Sequence, residues 1–276
     1  MEGAYKHENR TRTMIPQDFI TEWRKFSPWV LDIQVEQDLV ISRALVEIFK
    51  HDQLSKAFAF RGGTALSKLY LQKVARYSED IDLVQIKSEP IGQSFNALRS
   101  ALDPWLGVPQ RNQKKGTINL IYRFNSEGLP VLPLRLKIEM NCREHFSVFG
   151  FKKHDFSIQS RWYQGEVNIT TYSLEELLGT KLRALYQRRK GRDLFDLWAG
   201  LTMGKANPDK IVKTFQAYMK FQNLKVSQKY FLENLDRKIV STDFLKDTEP
   251  LLLSSINYDP LVAARIVKDQ LISKLD

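Results

Sequence analysis

Asp80 and Asp82 stand two residues apart in the alternating run Asp80-Ile81-Asp82-Leu83-Val84. On an extended strand residues i and i+2 share a face, so both carboxylates and Val84 point one way while Ile81 and Leu83 point the other. Two carboxylates so placed repel each other unless a cation lies between them. A hard divalent ion, Mg²⁺ or Mn²⁺, meets that demand through oxygen ligands. Mg²⁺ is usually held by one or two carboxylates plus substrate phosphate, so the pair could bridge a metal to a nucleoside triphosphate (NTP). An isolated D-x-D is also common on plain surfaces, and only its surroundings separate the two readings.

Those surroundings include Gly62-Gly63-Thr64, which ends the short apolar run Ala57–Arg61 and opens a segment with Leu66, Leu69, Tyr70 and Val74 at helical spacing. Glycines let backbone amides approach a phosphate closely, and the helix that follows adds its positive N-terminal end. Thr64 and Lys68 could assist there, although simple exposure also explains Lys68. Ser78, just ahead of the carboxylates, either hydrogen-bonds phosphate or caps the turn. Strand, glycine turn, helix, then a strand bearing D-x-D is far more specific than any one part. The chain has no Walker-type G-x-x-x-x-G-K-[ST], and no histidine lies at zinc-ligand spacing.

FRGGTALSKLY followed by RYSEDIDLV resembles the polymerase-β-like nucleotidyltransferases, and specifically their AbiEii/AbiGii toxin branch, the toxin half of two-gene bacterial toxin–antitoxin systems. QVEQDLVISRALVEIF, LRLKIEMN and EELLGTKLRALYQRRKGRDLFDLW resemble further segments of that branch in the expected order, over roughly residues 35–200. The resemblance implies transfer of a nucleoside monophosphate from an NTP to an acceptor hydroxyl, with the metal on Asp80 and Asp82. In that branch toxicity is attributed to RNA modification, in several members at the 3′ end of tRNA. tRNA is therefore the expected acceptor, growth arrest the expected outcome, and a cognate antitoxin from a neighbouring gene the expected partner. Transfer to a protein or small-molecule hydroxyl, and a non-catalytic nucleotide-binding partner, remain alternatives.

In the wider superfamily a third carboxylate on a neighbouring strand is a metal ligand or base. Glu139 has that setting in Leu134–Asn141, where Leu134, Leu136, Ile138 and Met140 form the apolar face and Arg135, Lys137 and Glu139 the other. A solvated glutamate beside Lys137 is the plain alternative. The resemblance also implies that Lys181 reaches the triphosphate and that Asp193 or Asp196 belongs to the active site. Helix ion pairs with Arg188, Arg189 or Arg192 are the competing explanation for the two aspartates. Arg192 is expected at the nucleotide phosphates, and Arg188, Arg189 and Lys190 as contacts to nucleic acid. Leu182, Leu185 and Tyr186 form one apolar stripe and Leu194, Leu197 and Trp198 another, so these charges cannot all share one solvated face.

The elements that must position these groups read as α+β: a polymerase-β-like core with a small mixed sheet flanked by helices, then a C-terminal helical bundle. Residues 1–14 are polar and read as a frayed end. Pro16–Lys25 and Val35–Lys50 read as helices, and Thr117–Phe124 and Leu134–Asn141 as strands joined by the loop NSEGLPVLP. Ser173-x-x-Glu176 reads as a reciprocal capping box, and Asn207-Pro208 and Asp259-Pro260 as N-caps with proline at the first helical position. We expect a core domain over 1–168 and a helical domain over 169–276 that contributes to the cleft. At 276 residues and a net charge of +10 the chain can bury a large core and favours polyanions. The single cysteine, Cys142, excludes an internal disulfide and reads as a buried thiol of a reducing cytoplasm. No apolar run approaches a membrane span, and the start lacks the apolar segment of a signal peptide, so a cytoplasmic location is expected.

Overall fold

The computed structural model describes residues 15–114 and 116–276, so the expectation for residues 1–14 lies outside the described residues. Helices α1 (Gln17–Trp23), α2 (Asp32–Lys50) and α3 (Asp52–Ala57) lead into strand β1 (Phe58–Arg61). Helix α4 (Gly62–Ala65) starts directly at the glycines and continues as a wider π-helical turn, Leu66–Leu71, so the glycines form the first helical turn rather than a separate loop. Strand β2 (Asp80–Gln85), helix α5 (Gly92–Leu106) and strands β3 (Gln110–Lys114), β4 (Thr117–Asn125), β5 (Pro133–Asn141), β6 (Lys152–Gln159) and β7 (Gln164–Thr171) follow. The helical half comprises α6 (Leu174–Gln187), α7 (Gly191–Thr202), α8 (Pro208–Phe221), α9 (Gln228–Ile239), α10 (Thr242–Lys246) and α11 (Pro260–Gln270).

The strands form one mixed sheet in the order β3-β4-β5-β2-β1-β7-β6. β2 sits at its centre, antiparallel to β1 and parallel to β5. Alternation along β2, β4 and β5 separates two faces, as the period of a strand requires. Ile81, Leu83, Ile118, Leu120, Leu136, Ile138 and Met140 are buried on one. Each such side chain contributes ~1.5–3 kcal/mol by leaving water, which sets the register: a one-residue slip would put charge into the core. β3, with the sequence QRNQK, is exposed along its whole length and carries no alternation that could have announced it.

Helix α2 packs on the sheet against β7 and is buried over most of its length, including Glu36, Gln37, Asp38 and Ser42. The last strand ends at Thr171, so the expected division at 168/169 falls inside β7, and one cluster of buried apolar residues continues from the sheet into the helices. Asn207 and Asp259 cap α8 and α11 through their side chains with proline in the first turn. The capping box at α6 is only half formed. Ser173 accepts from the Glu176 amide, but the Glu176 carboxylate turns inward and accepts from Ser147 Oγ and from the Val148 and Phe149 amides. Three donors from the β5–β6 connection outbid the single amide that the box offers. Cys142 is half-buried rather than enclosed, and burial raises its thiol pKa. Among the described residues no helix is long and apolar enough to cross a membrane.

Candidate active site

Strand pairing places Arg61, Asp82 and Glu139 side by side on β1, β2 and β5, with Asp80 opposite Lys137 one step along. Partners in register share a face, so these five groups gather on the polar side of the sheet while Phe60, Ile81, Leu83 and Ile138 form the buried side. Lys137 Nζ lies 2.9 Å from Glu139 Oε2 and 3.5 Å from Asp80 Oδ2. Two carboxylates thus share one lysine at close range, and Asp82 lies beside Glu139 in register. Asp82 carries the consequence: burial first, then Glu139 and Asp80, push its pKa up to about 6, against the opposing pull of Arg61 and Lys181. Oxygen donors with surplus negative charge suit a hard divalent cation. Among the described residues no three His, Cys, Asp or Glu side chains close a metal cage on their own.

The glycines are required by contact. Gly62 adopts φ +86°, and a Cβ there would lie 1.9 Å from Asp82 Oδ2. A side chain is excluded both by the left-handed backbone and by the carboxylate. The first turn of α4, with its positive end, is thereby held against Asp82. A Cβ on Gly63 would meet Arg76 Nη2 at 2.6 Å and Ser78 Oγ at 2.9 Å. Thr64 is fully buried; its hydroxyl donates to the Asp80 carbonyl at 2.5 Å and lies 3.0 Å from Ser78 Oγ. Thr64 therefore pins the start of β2 to the glycine helix, and its hydroxyl is used by the backbone rather than offered to phosphate. Lys68 is not brought to the carboxylates: its ammonium is bonded to Asp38 and Ser42.

The helical half supplies the facing charges. Lys181 Nζ lies 2.8 Å from Asp196 and 3.3 Å from Asp193. Arg188 binds Asp193 through Nε and Nη2 at 2.7 and 2.8 Å, and Arg76 binds Asp196 through two contacts of 2.9 Å. Asp193 has no exposed surface. Burial weighs against its charge, but Lys181, Arg188 and Arg76 prevail and lower its pKa. Both aspartates are therefore saturated by cations and hold Lys181, Arg188 and Arg76 in place. Lys181 and Arg188 in turn act on Asp82 electrostatically, across the two halves. Arg192 is bonded bidentately to Asp247, at 3.1 and 3.2 Å, and acts on Glu79 beside Asp80. Arg188, Arg189 and Lys190 are exposed at the α6–α7 turn, with Lys190 3.8 Å from Asp247.

Three charged residues of this region, Arg61, Arg76 and Glu144, escaped sequence reading. Arg76 bridges the glycine helix to Asp196. Arg61 and Arg183 both bind Glu144, the second at 2.5 Å. Burial alone would raise the Glu144 pKa, but the two guanidinium groups bring it down to about 2. An arginine at the end of an apolar strand, as Arg61 is, was the available signal, because a charge there needs a partner.

The family model for the nucleotidyl transferase AbiEii toxin of type IV toxin–antitoxin systems matches residues 43–262, well over half the chain. The chain belongs to the AbiEii family. This AbiEii protein is accordingly a nucleotidyltransferase, and a toxin of a type IV toxin–antitoxin system. Among solved structures its fold is similar to that of MenT4, a nucleotidyltransferase toxin from Mycobacterium tuberculosis H37Rv, with a TM-score of 0.59 and 13% identity over 95% of this chain and 91% of that one. A proposed nucleotidyltransferase from H. pylori aligns with a TM-score of 0.54 and 19% identity, over 89% and 96%. A search of curated proteins gives no match. All the motifs singled out above, from Gly62 to Asp196, lie inside the matched span.

Proposed function

We propose that this AbiEii-family toxin transfers a nucleoside monophosphate from an NTP to the 3′-terminal hydroxyl of tRNA, with Mg²⁺ or Mn²⁺ held by Asp80 and Asp82. The observation that carries the reading is the charge imbalance of the polar sheet face, where Asp80 and Glu139 share Lys137 while Asp82, in register with Glu139, lies against the first turn of the glycine helix. Bound there, the ion would offset triphosphate charge and polarise the α-phosphate, several kcal/mol of stabilisation in total. The acceptor oxygen forms a bond to the α-phosphorus as the bond to the bridging oxygen breaks and pyrophosphate departs. Glu139, in register with Asp82, takes the hydroxyl proton. Lys181 and Arg188 face the charge that builds on the leaving pyrophosphate.

Asp193 and Asp196 serve this chemistry as positioning residues, by fixing those two cations and Arg76. The exposed Arg188, Arg189 and Lys190, on a chain of net charge +10, favour a polyanionic acceptor. A cognate antitoxin encoded beside the toxin follows from the type of system to which the family belongs. The test is incubation of the purified protein with each α-labelled NTP, Mg²⁺ and total RNA, with Asp80→Ala as control. Label is expected at the 3′ end of tRNA-sized RNA with the wild type alone. Label confined to protein, or equal labelling by Asp80→Ala, overturns the proposal.

A further inference from the structure

A cavity of about 380 Å³ opens away from the carboxylates, and none of Asp80, Asp82 and Glu139 borders it. It lies between the α1–α2 connection, α2, the π-helical turn and β6. The connection reads Trp23-Arg24-Lys25-Phe26-Ser27-Pro28-Trp29, aromatic residues interleaved with cations. Its framework is built around one buried carboxylate. Asp38 accepts from Trp23 Nε1 at 2.9 Å, from Trp29 Nε1 at 3.1 Å and from Lys68. The two indoles are thereby fixed in one orientation, and the Asp38 charge is balanced within the wall.

Two features of this wall are left over by folding. Phe26 borders the cavity 60% exposed, its ring 5.1 Å from that of Trp23. Folding buries such a ring when it can, so an exposed one beside a concave surface invites a flat apolar partner. Ser27 also borders the cavity and is only 3% exposed, yet among the described residues its Oγ meets no hydrogen-bond partner. A buried hydroxyl without a partner costs ~1–3 kcal/mol. Lys68 is balanced by Asp38 and Arg24 by Asp32, which leaves Lys25 as the cation of the lining with no ion-pair partner among the described residues. The volume falls in the range of small-ligand pockets.

We propose that this cavity is a nucleotide-binding site separate from the active site, taking a nucleobase with its attached phosphate. The base stacks on Phe26, and the phosphate lies toward Lys25. Stacking on an aromatic ring with a cation alongside is how proteins hold unpaired nucleotides. The same chemistry comes from a free mononucleotide or from one unpaired residue of an RNA strand. The site stands on its own geometry, independent of which acceptor the toxin modifies.

The test measures quenching of tryptophan fluorescence by AMP, by UMP and by a short single-stranded oligoribonucleotide, all in the Asp80→Ala background. Binding is thus read without turnover and apart from the acceptor question. Saturable quenching is expected, weakened on the order of tenfold by Phe26→Ala and abolished by Ser157→Phe. Ser157 is exposed on β6 at the cavity wall, so the larger ring fills the mouth without entering the core. Quenching by the mononucleotides as strong as by the oligomer supports a free nucleotide as the occupant, and much tighter binding of the oligomer supports an RNA strand. Absence of saturable quenching with all three probes overturns the proposal. So does quenching that neither Phe26→Ala nor Ser157→Phe changes, since binding would then lie elsewhere.

Discussion

Two groups of aspartates, linked through the action of Lys181 and Arg188 on Asp82, are electrostatic opposites. Asp80 and Asp82, on β2, share a face with Glu139; burial first, then the neighbouring carboxylates, push Asp82 up to about 6. Asp193 and Asp196, on α7, are saturated by Lys181, Arg188 and Arg76, and the Asp193 pKa is lowered. One group crowds carboxylates together and the other has its own cations. A carboxylate's chemical role is thus decided by how far folding has neutralised it. The pair with unmet charge is suited to a metal and the paired one to holding cations still.

The sharpest way to break this contrast is to remove one carboxylate from each group. Asp80→Ala should cut nucleotidyl transfer by at least about a thousand-fold, several kcal/mol of transition-state stabilisation, while thermal stability stays level or rises as repulsion on β2 is relieved. Initial rates and a melting curve on the same preparation check both halves. Asp193→Asn should behave in the reverse manner, costing ~3–5 kcal/mol of stability because Lys181 and Arg188 lose a buried partner. Urea denaturation measures that loss, and a double-mutant cycle with Arg188→Gln should return a coupling of ~0.5–3 kcal/mol. If Asp193→Asn proved as stable as the wild type, the division between the two groups would collapse.

A smaller effect concerns pH. The folded-state pKa of Asp82, about 6, lies above its ordinary value of 3.8. The folded chain therefore holds an extra proton between these values, and this contribution to stability falls as pH rises through that window. In chelator, the melting temperature of the wild type relative to Asp82→Asn should drop from pH 4 to pH 6. Added Mg²⁺ should reverse the drop at pH 7 in the wild type alone. Glu144 has the opposite sign: its pKa of about 2 means stability present above its ordinary value and lost as pH falls toward 2. Glu144→Gln should flatten that acid limb. The smallest change expected is for Lys190→Ala, whose half-exposed ammonium sits 3.8 Å from Asp247. It should alter stability by no more than ~1 kcal/mol and lower the salt dependence of RNA binding by about one phosphate contact.

Much of the strand face was legible beforehand. The alternation around Asp80 and Asp82 and along Leu134–Asn141 put the carboxylates and Glu139 on polar faces, and Gly62-Gly63 marked the helix that meets them. Less was legible wherever a charge has a distant partner. Lys68 looked available for phosphate, but it balances Asp38, thirty residues earlier in the chain. Thr64 looked like a phosphate ligand, and its hydroxyl instead secures the Asp80 carbonyl. Glu176 looked like half of a capping box and was drawn to amides of another segment. Arg61 ends an apolar strand, which is a local signal, but nothing local distinguishes Arg76 or Glu144 from a surface charge.

By itself the sequence determined the polarity of each element, since the strand period of two and the helix period of 3.6 are local properties written in neighbouring residues. It thereby determined that two aspartates share a strand face and that a glycine-led helix precedes them. Only the tertiary structure decided that β2 lies between β1 and β5, which brings Arg61, Asp82 and Glu139 into one row. It also decided which carboxylates are neutralised. Pairing at close range depends on segments far apart in the chain meeting in space, and Coulomb interaction and burial act on that distance without regard to sequence separation.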